Sequence, residues 1–110
     1  MAHAIWGYAE LGYVEEHSSV LLQEQLVAAG FRLERGVAGI PTAFIAEYGS
    51  GRPVVALLAE FDALPGLSQQ AVAVRQPCVA EAPGHACGHH LFGTGSLAAA
   101  VTVAEWLQRT

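Results

Sequence analysis

A chain of 110 residues has room for one domain with one hydrophobic core. Apolar residues make up 53% and charged ones 14%, against roughly a quarter charged in ordinary soluble domains, so there is too little polar surface to wrap the chain and a further protein surface is expected to cover it. With a net charge of −5 and only 5 Lys and Arg, the chain has no basic stripe for a phosphate backbone, and nucleic acid is not an expected partner.

The opening MAHAIWGYAE lacks the basic start and sustained apolar run of a secretory signal. A short helix is expected within His3 to Glu10, closed by Gly12. From about Val14 the sequence VEEHSSVLLQEQLVAAGF sets Leu22, Leu26 and Ala29 at i, i+4 and i+7. Acidic residues occupy its first turn and Gly30 its end, which predicts an amphipathic helix. Thr42 to Tyr48 is rich in β-branched and aromatic residues and predicts a strand, with Gly49-Ser50-Gly51 as the turn that follows. Pro53 to Phe61, PVVALLAEF, is apolar almost without interruption, the pattern of a strand buried on both faces between helices. Leu67 to Pro83 has no period, contains Pro77, and reads as loop.

The last helix is expected to begin between Leu91 and Ser96 and to run to Arg109. It is apolar nearly all round, as suits the interior of a sizeable protein. Its most apolar run, Leu97 to Leu107, is interrupted by Glu105 and falls short of the roughly 20 residues of a membrane span, so a cytoplasmic protein without a membrane partner is expected. These elements predict an α/β fold with too few strands to close a sheet covered on both faces, which reads as the beginning of a larger domain.

The densest chemical signal is His85-Ala86-Cys87-Gly88-His89-His90. Imidazole and thiolate are the side chains best suited to borderline-soft divalent metals, and the single glycine between Cys87 and His89 lets both heads meet one ion. A structural zinc module made of Cys78, Cys87 and His89 or His90 is an alternative, although the interval from Cys78 to Cys87 matches neither usual ligand spacing. Gly93-Thr94-Gly95-Ser96-Leu97-Ala98 matches a G-x-G-x-x-A nucleotide fingerprint, but a histidine-rich loop precedes it where a strand is required. Small residues that let a helix pack closely are the simpler account. Asp62 falls at the end of the apolar strand, the edge where α/β sheets place their sites, and is either a site residue or the cap of the turn through Pro65 and Gly66. Glu60, two residues earlier on the same face, is a second member of the site or a polar residue at the rim.

EFDALPGLSQ (Glu60 to Gln69) together with GHACGHHLFGTGSLAAA (Gly84 to Ala100) resembles the metal-dependent amidohydrolases and metallopeptidases that cleave N-acyl amino acids, closest to the aminobenzoyl-glutamate utilisation protein B branch. The resemblance extends to WGYAELGYVEEHSS, Trp6 to Ser19, and so covers nearly the whole chain. It implies that residues 1–110 are the N-terminal part of a zinc-peptidase-like three-layer α/β/α catalytic domain, with a lid and dimerisation domain outside them. It implies a centre for two divalent metals, zinc or manganese, to which Cys87 and His89 contribute ligands, with Asp62 orienting a ligand from behind. The position after Cys-Gly-His is Asp in many relatives and is His90 here; Glu60 stands where many have Asp, so neither residue is assigned a ligand role, nor is His85.

The implied reaction is metal-assisted hydrolysis of an amide in a small N-acyl amino acid or dipeptide, by a protein expected to be a homo-oligomer. The glutamate base, the remaining metal ligands and a basic residue for the substrate carboxylate are expected outside these 110 residues. The contrasting reading is a fragment that retains two ligands and hydrolyses nothing.

Overall fold

The computed structural model describes residues 1–110. In chain order it contains α1 (Ala2–Tyr8), α2 (Glu16–Ala28), β1 (Arg32–Arg35), a 3₁₀ turn (Val37–Gly39), β2 (Phe44–Glu47) and α3 (His89–Arg109). The result is an α/β arrangement of three helices and a two-stranded antiparallel sheet. No helix is long and apolar enough to cross a membrane.

α1 buries Ile5 completely and stops ahead of Gly12, because Ala9 turns left-handed at φ 45° and returns its N–H to the Ile5 carbonyl. α2 follows the predicted span, with Leu22 and Leu26 buried. Its N-terminus is capped from a distance by Glu10. Oε2 of Glu10 accepts the His17 N–H at 2.8 Å, and Oε1 accepts both the N–H and the hydroxyl of Ser18, each at 2.8 Å. A carboxylate there satisfies two free amides and complements the positive end of the helix. The same face of α2 buries Ser18, Ser19 and Gln23, and each has a partner, as buried polar groups require. Ser19 donates to the Thr42 carbonyl at 2.7 Å, Gln23 to Ser19 at 2.8 Å, and Arg35 to Gln23 at 2.6 Å. This polar chain fastens α2 to the β1–β2 hairpin.

Burial raises the pKa of the Glu10 carboxyl, but the hydrogen bonds from His17 and Ser18 outweigh it and hold the group below its ordinary value of 4.5. A depressed carboxylate stabilises the fold fully above that ordinary value, and its contribution is lost as pH falls through the lower folded value. Glu10→Ala should therefore speed amide exchange at His17 and Ser18 on the order of tenfold at pH 7, the loss expected for hydrogen bonds to a charged group. Acidifying the wild type below its folded pKa should have the same effect. Equal exchange in both proteins at pH 7 would show that the cap is inert.

β1 pairs with β2 from Arg32↔Glu47 to Arg35↔Phe44. The run Pro53 to Phe61, expected as a buried strand, joins no ladder: Val54 is 79% and Leu58 80% exposed. A strand needs a neighbour's N–H and C=O groups, and β1 and β2 pair only with each other. Only the far end of the run is covered, where Ser96 of α3 donates to the Leu58 carbonyl at 2.5 Å. A Cβ on buried Gly93 would stand 3.2 Å from both the Glu60 carbonyl and the Phe61 side chain, so the small residue is needed for close approach. The G-x-G-x-x-A stretch thus lies wholly inside α3 and has no phosphate loop. Leu67 to Pro83 forms no helix or strand, as expected.

α3 begins at His89, earlier than the sequence predicts, because Gly88 takes the left-handed conformation at φ 84° and the helix starts directly after it. His89 and His90 therefore occupy its first turn. The helix is far from enclosed, with Trp106 61% and Leu91 61% exposed. The buried apolar residues are Ile5, Leu22, Leu26, Ala63 and Ala104. A radius of gyration of 15.4 Å exceeds the roughly 13 Å of a compact domain of this length.

Candidate metal centre

Two isolated bridges bring the chemical residues together. Leu11 pairs parallel with Ala63, whose N–H donates to the Glu10 carbonyl at 2.7 Å, and Leu64 pairs antiparallel with Gly84 through bonds of 2.9 and 3.0 Å. The first sets Asp62 beside the α1–α2 junction; the second ties the chain just after Asp62 to the chain just before His85. A side chain at Gly84 would overlap the Leu67 carbonyl, so this closure requires glycine.

His89, at the start of α3, stands between two carboxylates. Its Nδ1 is 2.7 Å from Asp62 Oδ1 and its Nε2 3.0 Å from Glu60 Oε2. The imidazole is 18% exposed, Asp62 33% and Glu60 60%, so the group opens to solvent on the glutamate side. One atom from each of Glu60, Asp62 and His89 falls within 4.8 Å of the others. A neutral imidazole has one N–H; when Asp62 accepts it at Nδ1, the Nε2 lone pair and the Glu60 carboxylate face each other. Two electron-pair donors at that distance, one nitrogen and one oxygen, suit a divalent cation. The donor set therefore fits a metal.

Glu60 enters this group although no role was assigned to it from sequence. The signal was its spacing: residues two apart on an extended segment share a face. Cys87 is exposed and carries a free thiol, and it lies outside the Glu60–Asp62–His89 group, on the other side of Gly88. Cys78 is also a free, exposed thiol, with its Sγ 3.3 Å from the Gln69 carbonyl. The four ligands of a structural zinc module are not brought together.

His85 and His90 form a second pair, with ring centroids 5.1 Å apart. His85 is buried and its Nε2 lies 3.1 Å from the Ile5 carbonyl, which must accept from it; that tautomer leaves Nδ1 as a lone pair. Burial pushes His85 below the ordinary imidazole range, the neighbouring His90 ring adds to the effect, and the Ile5 carbonyl opposes it. Burial pushes His90 down as well. The Nδ1 atoms of both rings are buried without a partner. His85 thus anchors the histidine loop to α1.

The chain is 46% identical over 110 residues to a p-aminobenzoyl-glutamate hydrolase polypeptide of Escherichia coli, a match covering 99% of this chain and 23% of that protein. It is 32% identical to the Xaa-Arg dipeptidase of Homo sapiens, over 94% of this chain and 23% of the relative. Thermostable carboxypeptidase 1 of Saccharolobus solfataricus is 37% identical over 84 residues, 74% of this chain and 21% of the relative. No family model matches the chain, and no solved structure matches it. The chain spans about a quarter of the length of these curated relatives.

Proposed function

Because the chain belongs to the metal-dependent amidohydrolase and peptidase family that its motifs resemble, we propose that it supplies one side of a centre that hydrolyses the amide bond of small N-acyl amino acids or dipeptides. The observation that carries this reading is the contact of Asp62 with His89 Nδ1 at 2.7 Å. It turns the other ring nitrogen outward toward Glu60 and the solvent-facing side of the group. In this reading His89 and Cys87 are metal ligands and Asp62 holds the imidazole in one tautomer and one orientation. Cys87, exposed at the mouth of the loop, is free to join a metal that His89 holds.

Bound there, divalent zinc or manganese would polarise the amide carbonyl and acidify water. Two metals, a glutamate base and a homo-oligomeric assembly belong to the same reading, as does completion of a three-layer α/β/α domain. The exposed run from Val54 to Leu58 supports the last of these, since its backbone and both its faces are open to further strands and helices.

Asp62→Ala in the full-length protein that carries these residues should lower metal affinity or turnover of an N-acyl amino acid by about 10–100-fold, as loss of such an outer partner does. Isothermal titration with manganese and an amide-hydrolysis assay measure the two. Wild-type values in both would reduce Asp62 to a cap for the Pro65-Gly66 turn.

A further inference from the structure

A cavity of about 290 Å³ lies between α1 and the two loops that carry the candidate centre, walled by Trp6, Leu67, Arg75, Pro77, His85 and Ala86. The His85 contact with the Ile5 carbonyl sets the histidine loop against the residue that precedes Trp6, and the Leu64–Gly84 bridge fixes the loop from Gly66 onward against His85. Ala86, in the cavity wall, immediately precedes Cys87.

The polar groups of the cavity divide sharply. Ser68 Oγ accepts the Cys78 and Val79 N–H groups at 3.1 and 3.2 Å. Gln69 donates to the Val74 carbonyl at 2.7 Å and accepts the Gln76 N–H at 3.0 Å. Both side chains are committed to holding the loop, and Gln69 clamps the residues on either side of Arg75. Arg75 itself makes no ion pair, although the chain as a whole is acidic. It is the one formally charged side chain in the wall. A guanidinium presented by a braced turn into a cavity beside an indole ring is matched by a carboxylate on a short apolar stem.

We propose that this cavity is a subsite for a side-chain carboxylate of the substrate, in which Arg75 pairs with the carboxylate and Trp6 covers its methylene stem. The preferred substrates are then amides of acidic amino acids. This rests on the amidohydrolase reading for the identity of the ligand, but the binding it asserts is measurable without turnover.

The test uses N-benzoyl-glutamate and its neutral isostere N-benzoyl-glutamine, titrated into the full-length protein with Trp6 fluorescence as the readout in a Trp106→Phe background. The glutamate amide should bind on the order of tenfold more tightly, the difference expected of a hydrogen-bonded charge pair. Arg75→Ala should abolish that preference while leaving affinity for the glutamine amide unchanged, and Arg75→Lys should retain part of it. In a hydrolysis assay Arg75→Ala should raise KM for the glutamate amide with kcat unchanged. A preference that survives Arg75→Ala, equal affinities in the wild type, or no response of Trp6 to either amide would overturn the proposal. Binding preference without hydrolysis of either amide would remove the amidohydrolase reading and leave the subsite. Hydrolysis of both amides without dependence on Arg75 would do the reverse.

Discussion

His89→Ala is expected to remove most of the divalent metal from the full-length protein, and Cys87→Ser to remove a large part of it. The two substitutions act on different arrangements. His89 is half enclosed and held at both ring nitrogens by carboxylates, so its loss deletes the ligand around which Glu60 and Asp62 converge. Glu60 and Asp62 would then face each other without the imidazole between them, and two like charges bind a borderline-soft ion less selectively than nitrogen does. Cys87 stands apart from that group, exposed, one residue before the left-handed Gly88. A thiolate adds both charge and softness to the site, and a serine hydroxyl adds neither. Losses of at least 10–100-fold in affinity, the scale seen even for outer partners, are expected in both cases. Metal content after gel filtration, measured by atomic emission, decides between them. Loss in His89→Ala alone would limit the centre to Glu60, Asp62 and His89, and full occupancy in both variants would remove the metal assignment.

The 110-residue chain by itself is expected to hydrolyse no N-acyl amino acid and to self-associate. Catalysis of this kind needs carbonyl and water held to within fractions of an ångström, and a misplacement of about 1 Å already costs on the order of 10²-fold in rate. A histidine, two carboxylates and a neighbouring thiol on an open surface do not provide that constraint. Association follows from the exposed run with Val54 at 79%, Val55 at 76% and Leu58 at 80%, which offers apolar side chains and unpaired backbone groups together. The exposed Trp106 and Leu107 on α3 add to the same liability. Light scattering and an assay with added zinc or manganese check both halves. A monodisperse monomer that turns over substrate would contradict both.

The parts of the fold readable in the sequence are those where one local rule suffices. α2 was legible because its apolar spacing and its terminal Gly30 agree, and Leu22 and Leu26 are indeed buried. β1 was not, because Arg-Leu-Glu-Arg has no alternation to distinguish it; its pairing depends on β2 and on the polar chain through Gln23 and Arg35. The apolar run after Pro53 misled in the opposite direction: its composition describes an environment that these residues do not themselves provide. The start of α3 was misplaced because a left-handed glycine can begin a helix without a polar capping side chain. At the candidate centre, the cluster from His85 to His90 named the loop, whereas the pairing of His89 with Glu60 as well as Asp62 requires the third dimension.

Two backbone bonds between Leu64 and Gly84 join the chain on either side of residues 65–83, which makes that stretch a noose drawn shut at its neck. Its circumference does not enter the distance between Asp62 and His89, which is set below the knot. Residues can be added to or removed from the noose with only a slowly growing entropic cost of closure. The part of the chain that shapes the cavity around Arg75 is thereby free to vary in length and content while the carboxylate and imidazole beneath it keep their spacing, so selectivity can be retuned without rebuilding the centre.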